Sequence, residues 1–258
     1  SWMGGDLEAA DSLERRRMWV GGFVMRRFPV TNREYLAFLD DLVAQGRESD
    51  ALRFAPRERG GTAGDHGAMI YGRNSQGKFE LRPDADGDTW PLDYPVFMID
   101  LFSAVAYTQW LAETTGLPWR LPMDLEWEKA ARGVDGRRFP WGDRFDPSRC
   151  CMASSQEGRM LPAVVDSFPV DESPYGVRGM AGNVRDWCLD AFGSDGPSGD
   201  RVTVSPFDAE EAAVEHARWS IRGGRWDGVT NLCRSAGRDG VGPSFRLWSL
   251  GFRCVRPL

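Results

Sequence analysis

Phe28-Pro29-Val30-Thr31-Asn32-Arg33-Glu34-Tyr35 carries the sharpest local signal in the 258-residue chain. Thr31 and Glu34 have the spacing of a capping box, in which each side chain accepts the other residue's backbone N–H. Val30 and Tyr35 stand where a hydrophobic staple clamps the entering chain. Tyr35, Phe38, Leu39, Leu42 and Val43 then recur with the period of one apolar helix face, and Gly46 supplies a stop. A helix from Thr31 to about Gly46 is predicted. Upstream, Met18–Phe28 alternates around a glycine pair as a strand or hairpin edge does. Ser1–Arg17 reads as a polar, weakly helical lead-in.

Downstream, residues 47–93 form a long polar, glycine-rich insertion with short apolar pieces at Ala68–Tyr71 and Phe79–Leu81. Stretches of this length without periodicity are functional or decorated loops. A second helix is expected from a Ser103 cap to about Thr115, with Tyr107, Trp110 and Leu111 on one face and Gly116 as its end. A third covers Leu125–Arg132 and closes on Gly133. From Phe139 to Leu258, short apolar pieces alternate with Gly, Pro, Asp and Ser, the pattern of short strands and ordered loops. Helices first and irregular β later predict an α+β fold.

Composition narrows the function classes. Hydrophobic residues at 41% and charged residues at 27% describe a packed globule, not a disordered segment. The 30 glycines, 16 prolines and 11 tryptophans predict irregular backbone held by large aromatic anchors. No apolar run approaches the roughly 18 residues needed to cross a bilayer, and Ser1–Asp11 lacks a basic-then-apolar signal pattern. The five cysteines are odd in number and include no CxxC pair, so reduced, buried thiols in a cytoplasmic protein are expected. With His66 and His216 as the only histidines, a histidine-based metal centre is excluded. Net charge is −6, yet the tail from Arg222 holds seven arginines and two aspartates, a net of +5. Those arginines are spaced singly among apolar residues, as structural hydrogen-bond donors are, so no nucleic-acid partner is expected.

Several blocks in one order resemble a known family. They are Phe28–Tyr35, Arg120-Leu121-Pro122 with Glu126–Gly133, Phe139-Pro140-Trp141-Gly142, Tyr175-Gly176 and Met180–Val184. Arg222-Gly223-Gly224, Cys233-Arg234-Ser235-Ala236 and Leu250-Gly251-Phe252-Arg253 complete the set. Together they are similar to the formylglycine-generating-enzyme, or sulfatase-modifying-factor, family. The resemblance implies a loop-rich C-type-lectin-like fold, α+β, forming one domain over residues 18–258 with 1–17 as a lead-in and 47–93 as an insertion.

Fold does not settle function. The family's copper-dependent oxidase resembles a site with two thiolates shortly after the Gly-Gly turn, and soft thiolates are what Cu(I) requires. Here only Cys233 follows Gly224 in that segment, at a scaffold position, while Cys254 lies in the closing strand. The family's iron enzymes need histidines that this chain lacks. What remains is a non-catalytic binding module without a cofactor, except for a structural calcium implied by the resemblance. Its ligands would be the carbonyls of Gly182 and Val184 and the carboxylate of Asp186, since calcium takes hard oxygens. Gly179 stands where the enzymes carry Asn or Asp, and Arg185 adds a cation. The competing reading has Asn183 and Asp186 pin the loop by hydrogen bonds alone.

In the family's lectin-like fold, the segment between the Gly-Gly turn and the last strand forms the exposed binding face, here Arg225–Ser249. Trp226, Cys233, Arg234, Ser235, Ala236, Arg238, Pro243, Arg246 and Leu250 are the scaffold members. The ligand-binding candidates are Arg225, Asp227, Gly228, Val229, Thr230, Leu232, Asp239, Val241, Ser244, Phe245, Leu247, Trp248 and Ser249. Diversity-generating-retroelement variable proteins resemble this arrangement; their mutated asparagine codons never yield Lys, Glu, Gln or Met. Those four types make up 29 of the first 221 residues and none from Arg222 onward. Trp248 is unreachable from an asparagine codon, so a fixed sensor domain of a bacterial Ser/Thr kinase system stays open, and so does the copper oxidase. The mixed aromatic, aliphatic and acidic face suits a protein or peptide partner on a monomeric domain, with Trp248 either its anchor or a core residue.

Overall fold

A computed structural model describes residues 1–57, 69–83 and 87–258. His66 and Ala68, with part of the 47–93 insertion, lie outside the described residues. The chain opens with β1 (Trp2–Met3), β2 (Arg16–Arg17) and β3 (Phe23–Met25), followed by α1 (Asn32–Ala44) and α2 (Glu48–Phe54). The strands β4 (Tyr71–Arg73) and β5 (Phe79–Leu81) precede α3 (Leu101–Thr115) and α4 (Asp124–Arg132). Next come β6 (Arg185–Ala191), the one-turn α5 (Ala209–Ala212), β7 (Trp219–Arg222) and β8 (Arg238–Val241). The chain closes with β9 (Leu250–Gly251) and β10 (Val255–Pro257). The main sheet has the order β8-β7-β6-β9, with β9 parallel to β6 and the other pairs antiparallel. The last strand, β10, pairs antiparallel with β3 and so joins the two ends of the domain. The fold is α+β, as expected.

Local chemistry sets the helix ends. Thr31 Oγ1 accepts the Glu34 N–H at 3.3 Å and Glu34 Oε2 accepts the Thr31 N–H at 2.9 Å, completing the capping box. Gly46 turns left-handed at φ 78° just beyond α1. α3 starts one residue beyond Asp100, not at Ser103: Asp100 Oδ1 accepts both the N–H and the O–H of Ser103, at 2.8 and 2.6 Å. A carboxylate at a helix N-terminus is a charged cap, stronger than the hydroxyl it displaces. α4 begins at Asp124, one residue before the expected start.

Helices α1 and α3 lay aromatic faces against the sheet. Tyr35 stacks on Tyr107 at 5.7 Å, and Phe252, in the closing strand region, meets Tyr107 edge-on at 5.2 Å. Val184, Trp187, Ile221 and Leu250 contribute the sheet side of this core. Two expectations are corrected. Ser1–Arg17 is not helical, because β1 pairs with β2 and buries Met3 and Leu13 against Leu125. The described part of the insertion is also more regular than a loop. It holds α2, whose Phe54 ring lies 6.0 Å from Phe38, and the β4–β5 hairpin. Tyr71 Oη donates to Asn32 Oδ1 at 2.6 Å and ties that hairpin to α1. Among the described residues no helix is long and apolar enough to cross a membrane.

Candidate functional site

The C-terminal segment begins at a turn that only glycine fits. Gly223 has φ 86°, and a Cβ on Gly224 would lie 2.0 Å from the Ala181 carbonyl oxygen. The backbone therefore runs directly over the loop 180–183, and Trp226 N–H donates to Asn183 O at 2.8 Å. Around this turn four arginines of the segment, Arg222, Arg234, Arg238 and Arg246, are buried, each paired with a carboxylate from a distant element. Arg222 reaches Asp124 Oδ1 at 3.0 Å and Glu128 Oε2 at 2.6 Å, and Arg238 holds Asp124 Oδ2 at 2.8 Å. Arg234 pairs with Asp6 at 2.9 Å and also meets Glu8. Arg246 pairs with Asp100 at 2.8 Å and donates to Ala55 O at 2.7 Å. Most of the tail's positive charge is thus paired inside the protein.

Two turns rise from this frame, Arg225–Leu232 and Gly242–Ser249. Trp248 Nε1 donates to Asp227 Oδ2 at 3.0 Å, while Arg225 Nε lies 3.2 Å from Asp227 Oδ1. Trp226 Nε1 donates to Trp248 O at 3.4 Å, so the two turns are stitched together. Trp248 is 47% exposed, Phe245 39% and Val229 60%. An indole pinned at its N–H with its ring in solvent is an ordered apolar platform. The second turn is anchored from below, since Leu247 O accepts the Met98 N–H at 3.1 Å and Pro243 O the Leu101 N–H at 3.0 Å.

The predicted face contracts accordingly. Arg225, Asp227 and Trp248 come together, and Val229, Thr230, Leu232, Ser244 and Phe245 stand on the same two turns with exposed or half-exposed side chains. Asp239 is not a free acceptor, because Arg185 holds it at 2.8 Å and Arg218 lies at 3.4 Å. Val241 and Leu247 are half-buried against the main core. Gly228 and Ser249 are buried, and Ser249 O accepts the Arg185 N–H at 2.8 Å. Sequence reasoning missed the support from residues 153–156: Ala153 N–H donates to Gly228 O at 3.1 Å and Gln156 Nε2 to Trp226 O at 3.0 Å. That irregular stretch gave no periodic signal that could have shown it.

The groups proposed for metals fare poorly. Asp186 is fully buried, and its Oδ2 accepts Trp127 Nε1–H at 2.7 Å and Arg253 Nε–H at 2.6 Å. Arg253 also donates to Arg178 O and Gly179 O at 3.0 Å. A guanidinium already supplies positive charge at Oδ2, while Oδ1 has no hydrogen-bond partner among the described residues, so a dication at Gly182, Val184 and Asp186 would share the carboxylate with a buried cation. Asn183 Oδ1 accepts the Ala163 N–H at 3.0 Å and its amide returns a bond to Ala163 O at 2.8 Å, which pins the loop. Cys233 packs with Phe139, Cys150, Met152 and Ala181 in a small buried cluster, and Cys254 belongs to the main core. All five cysteines are free and buried. Burial pushes the Cys151 thiol up to about 12 and raises Cys254 as well, away from the thiolate form a soft metal binds.

Comparison with known proteins places the chain. It is 30% identical over 252 residues to a formylglycine-generating enzyme of Streptomyces coelicolor, covering 88% of this chain and 75% of that one. It is 25% identical over 252 residues to the serine/threonine-protein kinase pkn1 of Chlamydia pneumoniae, covering 95% of this chain. The chain spans about a third of the length of some curated relatives it matches, 35% in the kinase. The solved variable protein 1 of Treponema denticola superposes with a TM-score of 0.68 at 17% identity, over 100% of this chain and 92% of that one. The fold is therefore the expected C-type-lectin-like one. With residues 3–258 matching its description, the chain belongs to the family of sulfatase-modifying factor enzyme 1-like domains.

Proposed function

We propose that this domain is a non-catalytic binding module whose recognition surface is the pair of turns Arg225–Leu232 and Gly242–Ser249. The observation that carries this reading is the exposure of Trp248, Phe245 and Val229 on turns locked to a buried arginine frame. Large apolar groups held open in solvent cost stability and become useful when a partner covers them. An ordered indole beside a carboxylate already shared with Arg225 and Trp248 favours a protein or peptide ligand over a free anion. The absence of Lys, Glu, Gln and Met from Arg222 onward supports the diversified, variable-protein form of this reading. Its test is deep sequencing of a clonal culture. Substitutions concentrated at codons 227–232 and 244–248 establish diversification, and a uniform background shows a fixed sequence.

A second reading, a fixed sensor appended to a kinase system, draws on the likeness to pkn1 over 95% of this chain. It predicts one invariant ligand and the same exposed turns. The oxidase reading is tested directly by incubating the domain with Cu(I), oxygen and a sulfatase-type cysteine peptide. No aldehyde is expected. Turnover with thiolate-dependent copper binding would overturn the non-catalytic assignment and place Cys233 or Cys254 in an active site.

A further inference from the structure

At the far end of β6 and β7, where Ala191 pairs with Trp219, a cleft of about 330 Å³ opens between the sheet and the loop 197–206. That volume is at the small end of the roughly 300–1,000 Å³ of ligand pockets. None of the recognition-turn residues lines it. Its inner wall is Met123, Leu189, Asp190 and Trp219, and its rim carries Arg201 and Glu211.

Several polar groups of this cleft are uncommitted and share one small cavity. Trp219 is only 3% exposed, yet its indole N–H has no partner among the described residues. One Asp190 oxygen accepts the Asp124 N–H, and the other has no protein partner among the described residues. Burial and the neighbouring Asp124 raise the pKa of Asp190, the mark of a carboxyl short of positive charge. Arg201 lies over the Trp19 ring at 5.9 Å and, among the described residues, pairs with no carboxylate. Glu211 likewise pairs with no cation there. One cation and one anion at the exposed rim, one carboxyl and one buried donor thus stand around a single small cavity.

We infer that this cleft binds a free α-amino acid with an aliphatic side chain. The ligand ammonium meets Asp190 and Glu211, its carboxylate meets Arg201 and the Trp219 N–H, and its side chain lies on Met123 and Leu189. A lone cation or a lone anion satisfies one set of groups and leaves the other facing a like charge. A zwitterion with both charges on one carbon satisfies both.

The test is calorimetric titration of the whole chain with leucine, 3-methylbutylamine and 4-methylpentanoate. Leucine should bind saturably, and each analogue lacking one charged group should bind roughly tenfold more weakly or worse. Arg201→Ala and Glu211→Gln, both at the exposed rim, should each weaken leucine by a similar factor without lowering the melting temperature. Trp248→Ala should leave leucine binding unchanged, so failure here is separable from failure of the recognition turns. The inference is overturned if none of the aliphatic amino acids gives saturable heat. It is equally overturned if the amine or the acid binds as well as leucine, or if the Arg201→Ala/Glu211→Gln double variant binds like the parent.

Discussion

Between Arg222 and Leu258, arginines and large aromatics are scattered singly among glycines in much the same way, yet the structure sends them in opposite directions. Arg222 and Arg238 vanish into the interior, whereas Phe245 and Trp248 stand in solvent. The hydrophobic effect alone would reverse that order. The difference lies in what was already waiting inside. Asp124 and Glu128, one turn apart on α4, and Asp100 at the head of α3 present carboxylates to the places where the guanidiniums arrive. A buried cation is tolerable only with such partners. The aromatics of the turns meet no vacant apolar space, because Tyr35, Tyr107, Trp187 and Phe252 already fill the core. Burial in this tail follows partner availability more than residue hydrophobicity.

The sharpest way to break that contrast is to remove one member of the frame. Arg222→Met leaves Asp124 and Glu128 buried, with Glu128 still held by Arg132 at 2.8 Å and Asp124 by Arg238. Loss of one partner of a buried pair costs about 3–5 kcal/mol, so denaturant unfolding should show a large fraction of the stability gone. A loss under about 1 kcal/mol would mean the buried charges do not hold the frame.

The turns should respond in the opposite sense. Trp248→Ala should cost on the order of 2 kcal/mol of partner affinity, because binding energy concentrates in a few aromatic anchors. Its melting temperature should barely move. Truncation of a fully buried Trp would instead cost about 3–5 kcal/mol of stability. Melts of this one variant therefore decide between anchor and core before any partner is known. Asp227→Asn is a gentler probe of the same site. It keeps the shape but turns the charge-assisted bond to Trp248 into a neutral one and strips Arg225 of its counter-charge. About 1 kcal/mol of affinity should be lost, with fold and melting temperature kept.

The parts of this contrast that were legible in the sequence were those written locally. The Thr31–Glu34 box and the Tyr35–Val43 periodicity fixed α1 because both act within two turns of helix. Arg234, Arg238 and Arg246 were legible as structural hydrogen-bond donors from their single spacing, but their partners were not. Arg222 meets Glu128 across 94 residues, Arg238 meets Asp124 across 114, and Arg246 meets Asp100 across 146. No local pattern encodes such pairings. For the same reason Asp239 read as a free acceptor until Arg185 was placed beside it. The two-residue strands of the lead-in were too short for alternation to show. Trp248 exposure was left open in the sequence because an aromatic among glycines fits anchor and core equally.

The smallest expected effect concerns the loop that resembles a calcium site. Any ion bound to the native state alone stabilises it by mass action, so calcium should raise the melting temperature and chelator lower it wherever such a site exists. Here one oxygen of the carboxylate that would anchor the ion already holds a cation, and the other has no hydrogen-bond partner among the described residues. Asp186 Oδ2 holds Arg253 and Trp127, and Arg253 also donates from Nη1 to Arg178 O and from Nη2 to Gly179 O. Bringing a dication against Asp186 would set it beside a buried guanidinium, a like-charge contact with little solvent to screen it. Neither millimolar calcium nor chelator should therefore move the melting temperature. Asp186→Ala should lower it sharply and equally in both, because it orphans Arg253 and the Trp127 N–H whatever ion is present. A chelator-sensitive melt in the parent that disappears in Asp186→Ala would instead show that the arginine yields its place to calcium.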